Sequence, residues 1–100
     1  MPPGKTVALA PAARTDLIRL EDFLAAKNPD AAHRMVAALL AAFDRIAASP
    51  GAGRPVLSPR TDADLRERLV RFGRSGYVIL YAVEPDQILV LRIHHGREDR

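Results

Sequence analysis

The sequence predicts an α+β fold of two layers: an N-terminal strand, an α-helical hairpin, then a three-stranded antiparallel meander, in the order β-α-α-β-β-β. Three observations predict it. Apolar residues between positions 13 and 46 recur at three- and four-residue spacing, the period of a helix face. Asn28-Pro29 divides that helical stretch in two. From residue 65 onward the apolar residues gather in short β-rich runs separated by Gly- and Pro-containing turns.

Residues 5–10, Lys-Thr-Val-Ala-Leu-Ala, read as a short strand in which Val7 and Leu9 alternate with smaller residues. Pro11 suits the first turn of a helix. Ala13, Leu17, Leu20 and Leu24, spaced four, three and four, form one face of it. Asp16 lies near the positive end of this helix, where a carboxylate is favoured. Asn28 caps the second helix and Pro29 opens it. That helix runs to about residue 48, with the stripe Ala32, Val36, Leu39, Phe43 and Ile46. Met35, Ala38 and Ala42 make a second face of it, and Phe23 lies off the stripe of the first helix. The face at Met35 either packs on the first helix or receives a partner helix in a groove. Ser49-Pro50-Gly51 ends the second helix.

Residues 51–64 carry Gly51, Gly53, Pro55 and Pro59 and read as a long loop, a feature often functional. Residues 65–72 read as a strand, 73–76 as a turn, and 77–83 as a central strand. Residues 84–87 form the next turn, and 88–93 a third strand leading into His94-His95-Gly96-Arg97. The helical hairpin can cover only one face of the sheet, so the opposite face stays partly open. The pattern does not fix where the first strand joins.

One hundred residues make one domain. The chain is 48% hydrophobic and only 5% aromatic, without Trp, so its core is aliphatic. It has no Cys, which excludes disulfides, thiolate metal sites and Cys nucleophiles. The first residues lack the apolar stretch of a signal peptide. No apolar run approaches the roughly 18 residues of a membrane span. The net charge is +3, and thirteen of the fifteen cationic residues are Arg. Arg forms bidentate pairs with carboxylates and phosphates, which points to an acidic partner or a nucleic acid.

The element order and several short motifs resemble the ParE/RelE superfamily of bacterial toxins. Leu9-Ala-Pro-Ala-Ala13 followed by Asp16-Leu17 is similar to a family pattern Leu-Ser-Pro-x-Ala-x-x-Asp-Leu, with Ala10 in place of Ser. Asn28-Pro29-Asp30-Ala31-Ala32, Ser49-Pro50-Gly51-x-Gly53-Arg54, Leu65-Arg66 and Tyr77-Val-Ile-Leu-Tyr81 follow in order. His95-Gly96-Arg97-Glu98-Asp99 completes the series and is similar to a His-Gly-x-x-Asp ending of ParE-like toxins. The resemblance implies the toxin of a type II toxin–antitoxin pair, in the bacterial cytoplasm, held by a cognate antitoxin. ParE-like toxins poison DNA gyrase, and RelE-like toxins cleave messenger RNA on the ribosome.

RNA cleavage requires a base, an acid and cations around one phosphate. Arg68, Arg71, Arg74, Arg92, His94, His95 and Arg97 could supply part of this. Yet no Tyr follows Tyr81, and residues 28–100 contain no Lys, both frequent in RelE-like sites. The expectation is therefore a ParE-like gyrase inhibitor with no catalytic residue, no cofactor, a ParD-type antitoxin with an acidic C-terminal segment, and no direct contact with nucleic acid. Arg71, Arg74, Arg92, His94, His95 and Arg97 are the expected target-binding residues. Phe23, Met35, Ala38, Ala42, Arg66 and Arg68 are expected to meet the antitoxin. Tyr77 and Tyr81, four apart on one strand, are expected in the core. His94 and His95 are adjacent on a strand and point to opposite faces, so they are not expected to share a metal.

Overall fold

The computed structural model describes residues 5–96. In chain order they form β1 (Thr6–Leu9), α1 (Pro11–Ala25), α2 (Pro29–Ala48), β2 (Arg54–Val56), β3 (Asp64–Phe72), β4 (Ser75–Val83) and β5 (Gln87–His95). The strands make one mixed sheet in the order β1-β5-β4-β3-β2. The expected α+β layering holds, with the helical hairpin on one sheet face.

β1 joins at the edge of the sheet, parallel to β5, with Thr6 opposite Gln87 and Leu9 opposite Val90. Lys5 ties down its start: the Nζ donates to the Glu84 and Pro85 carbonyls at 2.7 and 2.8 Å. At the other end of the sheet the expected loop contains more structure than the sequence suggested. Pro50–Ala52 is a 3-10 turn, and β2 pairs antiparallel with β3. The strand is short because Pro55 lacks an N–H for the ladder, and such residues sit only on edge strands.

Sequence signals set the element ends. The Asn28 side chain accepts a hydrogen bond from the Ala31 N–H at 3.1 Å, capping α2. The β3–β4 turn is tighter than expected, with Phe72 opposite Ser75 and only Gly73-Arg74 between them. Gly73 has φ +60°, the conformation that favours Gly at the first central position of a two-residue hairpin turn.

The core lies between the hairpin and the sheet. Met35, Leu39, Ala42 and Ile46 of α2 meet Ile79 and Tyr81 of β4 and Ile88, Val90 and Ile93 of β5 in one buried cluster. The apolar face of α2 is thus broader than the stripe read from the sequence, because Met35 and Ala42 belong to it. Tyr81 is fully buried, and its hydroxyl donates to the Pro50 carbonyl at 2.8 Å. Burial pushes its pKa up, against the opposing effects of a backbone hydrogen bond at Gly53 and the nearby Arg66 and Arg68. The phenol therefore stays neutral.

Gly53 packs directly on Tyr81. A Cβ at this position would collide with the Tyr81 hydroxyl and crowd the Glu67 carbonyl at 3.0 Å. Gly53→Ala is expected to lower stability by about 1–3 kcal/mol in denaturant titration. Tyr81→Phe, which removes the nearest colliding atom, should make the double variant less destabilised than the sum of the two single changes.

Candidate functional site

A register shift in β5 decides which side chains face which surface. Leu80 pairs with Arg92 but Tyr81 pairs with Val90, leaving Leu91 unmatched. This is a β-bulge, an extra residue that re-aims the side chains beyond it. Ile88 and Val90 point to the core before the shift, and Ile93 points there after it; all three are fully buried. Unbroken alternation from Ile88 would have put Arg92 and His94 in the core instead. The bulge turns both onto the open sheet face and directs His95 under the helices, opposite Tyr77.

Asp16 holds this arrangement. Its carboxylate accepts from the Ile93 N–H at 2.9 Å, from Arg92 Nε at 2.8 Å and from Arg92 Nη2 at 3.1 Å. The Asp16 side chain is only 5% exposed, whereas that of Arg92 is 58% exposed. Arg19, one helical turn on, lies 3.8 Å from the same carboxylate. Burial pushes the Asp16 pKa up. The Arg92 and Ile93 hydrogen bonds and the charges of Arg92 and Arg19 outweigh it, so the carboxyl titrates below its ordinary value. Asp16 does not serve the helix end, as first read; it joins α1 to the β5 edge. The signal was present in the spacing. Ala13, Asp16 and Leu20 share one helix face, so a carboxylate stands on a buried stripe.

The open sheet face carries Leu65, Glu67, Leu69 and Arg71 of β3, Val78 and Leu80 of β4, and Arg92 and His94 of β5, by their pairing. It is apolar in the middle, with Leu69 exposed, and charged around the margin. Arg54 and Glu67 form an ion pair across β2 and β3 at 2.6 Å. The Nε2 of His94 is enclosed, with no hydrogen-bond partner among the described residues.

A second concave surface lies on the helix side. A cleft of about 550 Å³ opens between α1 and the β3–β4 turn, walled by Leu20, Leu24, Phe72 and Tyr77. Phe23 lines it and is 63% exposed. Arg19 and Arg74 line it as well. Ser75 Oγ and His95 Nε2 share a hydrogen bond at 2.9 Å beside the edge-on ring of Tyr77.

The residues singled out from sequence fall into separate places. Arg71, Arg92 and His94 share the open face, whereas Arg74 and His95 belong to the cleft on the other side. Arg97 lies outside the described residues. Of the residues expected to meet an antitoxin, Phe23 is well exposed at the cleft. Met35 and Ala42 correct the expectation: neither has exposed surface, because the small-residue face of α2 packs into the core. Ala38 is half-buried against the same cluster. Arg66 and Arg68 sit on the helix side of β3. Arg66 is occupied there, donating to the Gly51 and Gly53 carbonyls at 3.0 Å and to Asp64. The expected core positions of Tyr77 and Tyr81 are observed.

A helical hairpin over one face of a mixed five-stranded sheet is the fold of the ParE/RelE toxins. Residues 7–100 match the family of the ParE toxin of the type II toxin–antitoxin system, parDE, and the chain belongs to that family. It is 38% identical over 96 residues to Toxin RelE3 of Caulobacter vibrioides, covering 96% of this chain and 99% of the relative. Toxin RelE1 of the same organism is 39% identical over 95 residues, covering 95% and 97%. Among solved structures, a chain of the chromosomal ParDE system from P. aeruginosa superposes with a TM-score of 0.68 at 22% identity, over 91% of this chain and 95% of that one. A chain of the RelBE2 toxin–antitoxin complex from Mycobacterium tuberculosis gives 0.59 at 23% identity, over 92% and 98%. These two likenesses show the fold.

Asp16→Asn is expected to cost about 1–3 kcal/mol of stability at neutral pH, because a charge-assisted acceptor at a buried site is lost. The depressed folded-state pKa sets the pH dependence. The carboxylate's contribution is fully present above the unfolded value, about 3.9, and is lost as pH falls through the lower folded value. The stability gap between the native chain and Asp16→Asn should therefore narrow steadily below about pH 4 in thermal melts. A gap that stayed constant into the acid range would show that this carboxylate is not the titrating group.

Proposed function

We propose that this toxin is a ParE-like inhibitor of DNA gyrase that acts by binding, and that a cognate ParD-type antitoxin with an acidic segment neutralises it. The observation that carries the reading is the character of the open sheet face. Its described ionisable groups are suited to holding a partner rather than to exchanging protons. Glu67 is paired with Arg54, Arg92 is held by Asp16, and Tyr81 is buried beneath the other face. His94 has its Nε2 enclosed. A general base must reach the proton it removes, and Glu67, Arg92, Tyr81 and the Nε2 of His94 are not placed to do so. The cations Arg71 and Arg92, around Leu69 and Leu80, instead present a surface for an acidic protein partner. The match of residues 7–100 to the ParE toxins supports the same branch.

The names of the two Caulobacter vibrioides relatives favour a second reading, a RelE-like ribosome-dependent endonuclease. Parallel assays separate the two. The purified chain is added to gyrase with relaxed plasmid, and separately to translating ribosomes with messenger RNA. The expected outcome is loss of supercoiling or accumulation of cleaved plasmid, with intact messenger RNA. Arg71→Glu should weaken the gyrase effect about tenfold. Codon-linked cuts in the messenger with unaffected gyrase would give the second reading the field.

A further inference from the structure

We propose that the cleft between α1 and the β3–β4 turn is the anchor site for the antitoxin, and that it takes one large apolar side chain carried on an acidic segment. The proposal rests on the antitoxin partnership above and is independent of whether gyrase or the ribosome is the target.

Shape and chemistry of the cleft specify such an occupant. Its volume of about 550 Å³ falls in the size range of concave binding sites, roughly 300–1,000 Å³. Its walls are Leu20, Leu24, Phe72 and Tyr77, so it favours an apolar group. Phe23 stands at the cleft with 63% of its surface exposed, a large aromatic left in water in the isolated chain. Exposed aromatics bordering an apolar pocket are the residues that dominate binding energy when a partner covers them.

The charges around the cleft select the flanks of the inserted side chain. Arg19 and Arg74 line it, and among the described residues no carboxylate does. Lys27 adds a third cation, its Nζ 4.2 Å from the centre of the Phe23 ring. A segment with Asp or Glu on either side of its apolar anchor meets this ring of cations favourably. A second copy of the chain does not: a two-fold axis through the cleft would bring the same cations face to face. Two polar groups that line the cleft satisfy each other, since Ser75 Oγ and His95 Nε2 share a hydrogen bond. An apolar anchor can therefore enter without leaving them unpaired.

The cleft is also preformed. One wall is α1, fixed through Asp16 to Arg92 and Ile93. The other is a strand pair closed by a two-residue turn. Little ordering is required of the toxin, so the partner supplies most of the entropic cost.

The test uses the full chain and its cognate antitoxin, by titration calorimetry. Phe23→Ala and Arg74→Glu should each weaken binding about tenfold or more. Leu57→Ala, at a 95% exposed residue in the β2–β3 loop, should leave affinity unchanged. Amide exchange should show antitoxin-dependent protection across residues 19–24 and 72–77. Because Phe23 and Arg74 are exposed, circular dichroism melts of both variants should match the native chain. Native affinity in both variants, or no protection in those two segments, overturns the proposal. So does a native chain that dimerises on its own and is made monomeric by Phe23→Ala, which would assign the cleft to a second copy. Neither measurement involves gyrase or ribosomes, so failure of the gyrase reading leaves the result interpretable.

Discussion

Asp16 is the point at which helix, strand and surface are tied together. One carboxylate takes the Ile93 N–H at the β5 edge and two donors from Arg92, and Arg19 lies beside it. A buried carboxylate is costly unless its lone pairs are used, and here they are. The bulge at Leu91 supports the same junction, because it turns Arg92 toward solvent and Ile93 toward the core. Without the bulge, Arg92 would lie in the cluster formed by Met35, Leu39 and Ile46. Without Asp16, the Ile93 N–H would lose its acceptor beyond the end of β1. Both α1 as a wall of the cleft and Arg92 as part of the open face therefore depend on this contact.

The result is a molecule with two dissimilar surfaces back to back, separated by the thickness of one sheet. The open face has a broad apolar centre with Leu69 and Leu80 and a charged margin. The cleft under α1 is narrower and lined with aromatic and aliphatic groups. Alternation along β5 assigns neighbouring histidines to opposite sides, His94 to the first surface and His95 to the second. The proposed assignments give the target one of these surfaces and the antitoxin the other, so that each surface can be tuned without altering its neighbour.

Much of the architecture was legible in the sequence because it rests on local signals. The three-four spacing of Leu17, Leu20 and Leu24, the Asn28-Pro29 cap and the apolar run from Tyr77 to Val83 each report a local preference. Features set by distant contacts were not legible. The parallel pairing of β1 with β5, the strand at Arg54–Val56 and the burial of Met35 depend on which elements meet in space. The site was legible in its residue types and not in its grouping. A single extra residue, Leu91, changes which side chains share a face, and no composition or period marks it. Asp16 was visible as a carboxylate on an apolar stripe, but its partners lie 76 and 77 residues away.

The pairing of β1 with β5 also bears on how the chain reaches its fold. Thr6 meets Gln87 and Leu9 meets Val90, so this sheet edge joins segments 81 residues apart in the sequence. Closing so long a loop costs entropy before any contact repays it, which makes such pairings late events in folding. During synthesis β1 emerges well before β5 and waits for it. The α1–β5 tie through Asp16 waits with it. A nascent toxin therefore lacks both its anchored α1 wall and its oriented Arg92 until β5 has left the ribosome, so the two finished surfaces arise only after that strand is made.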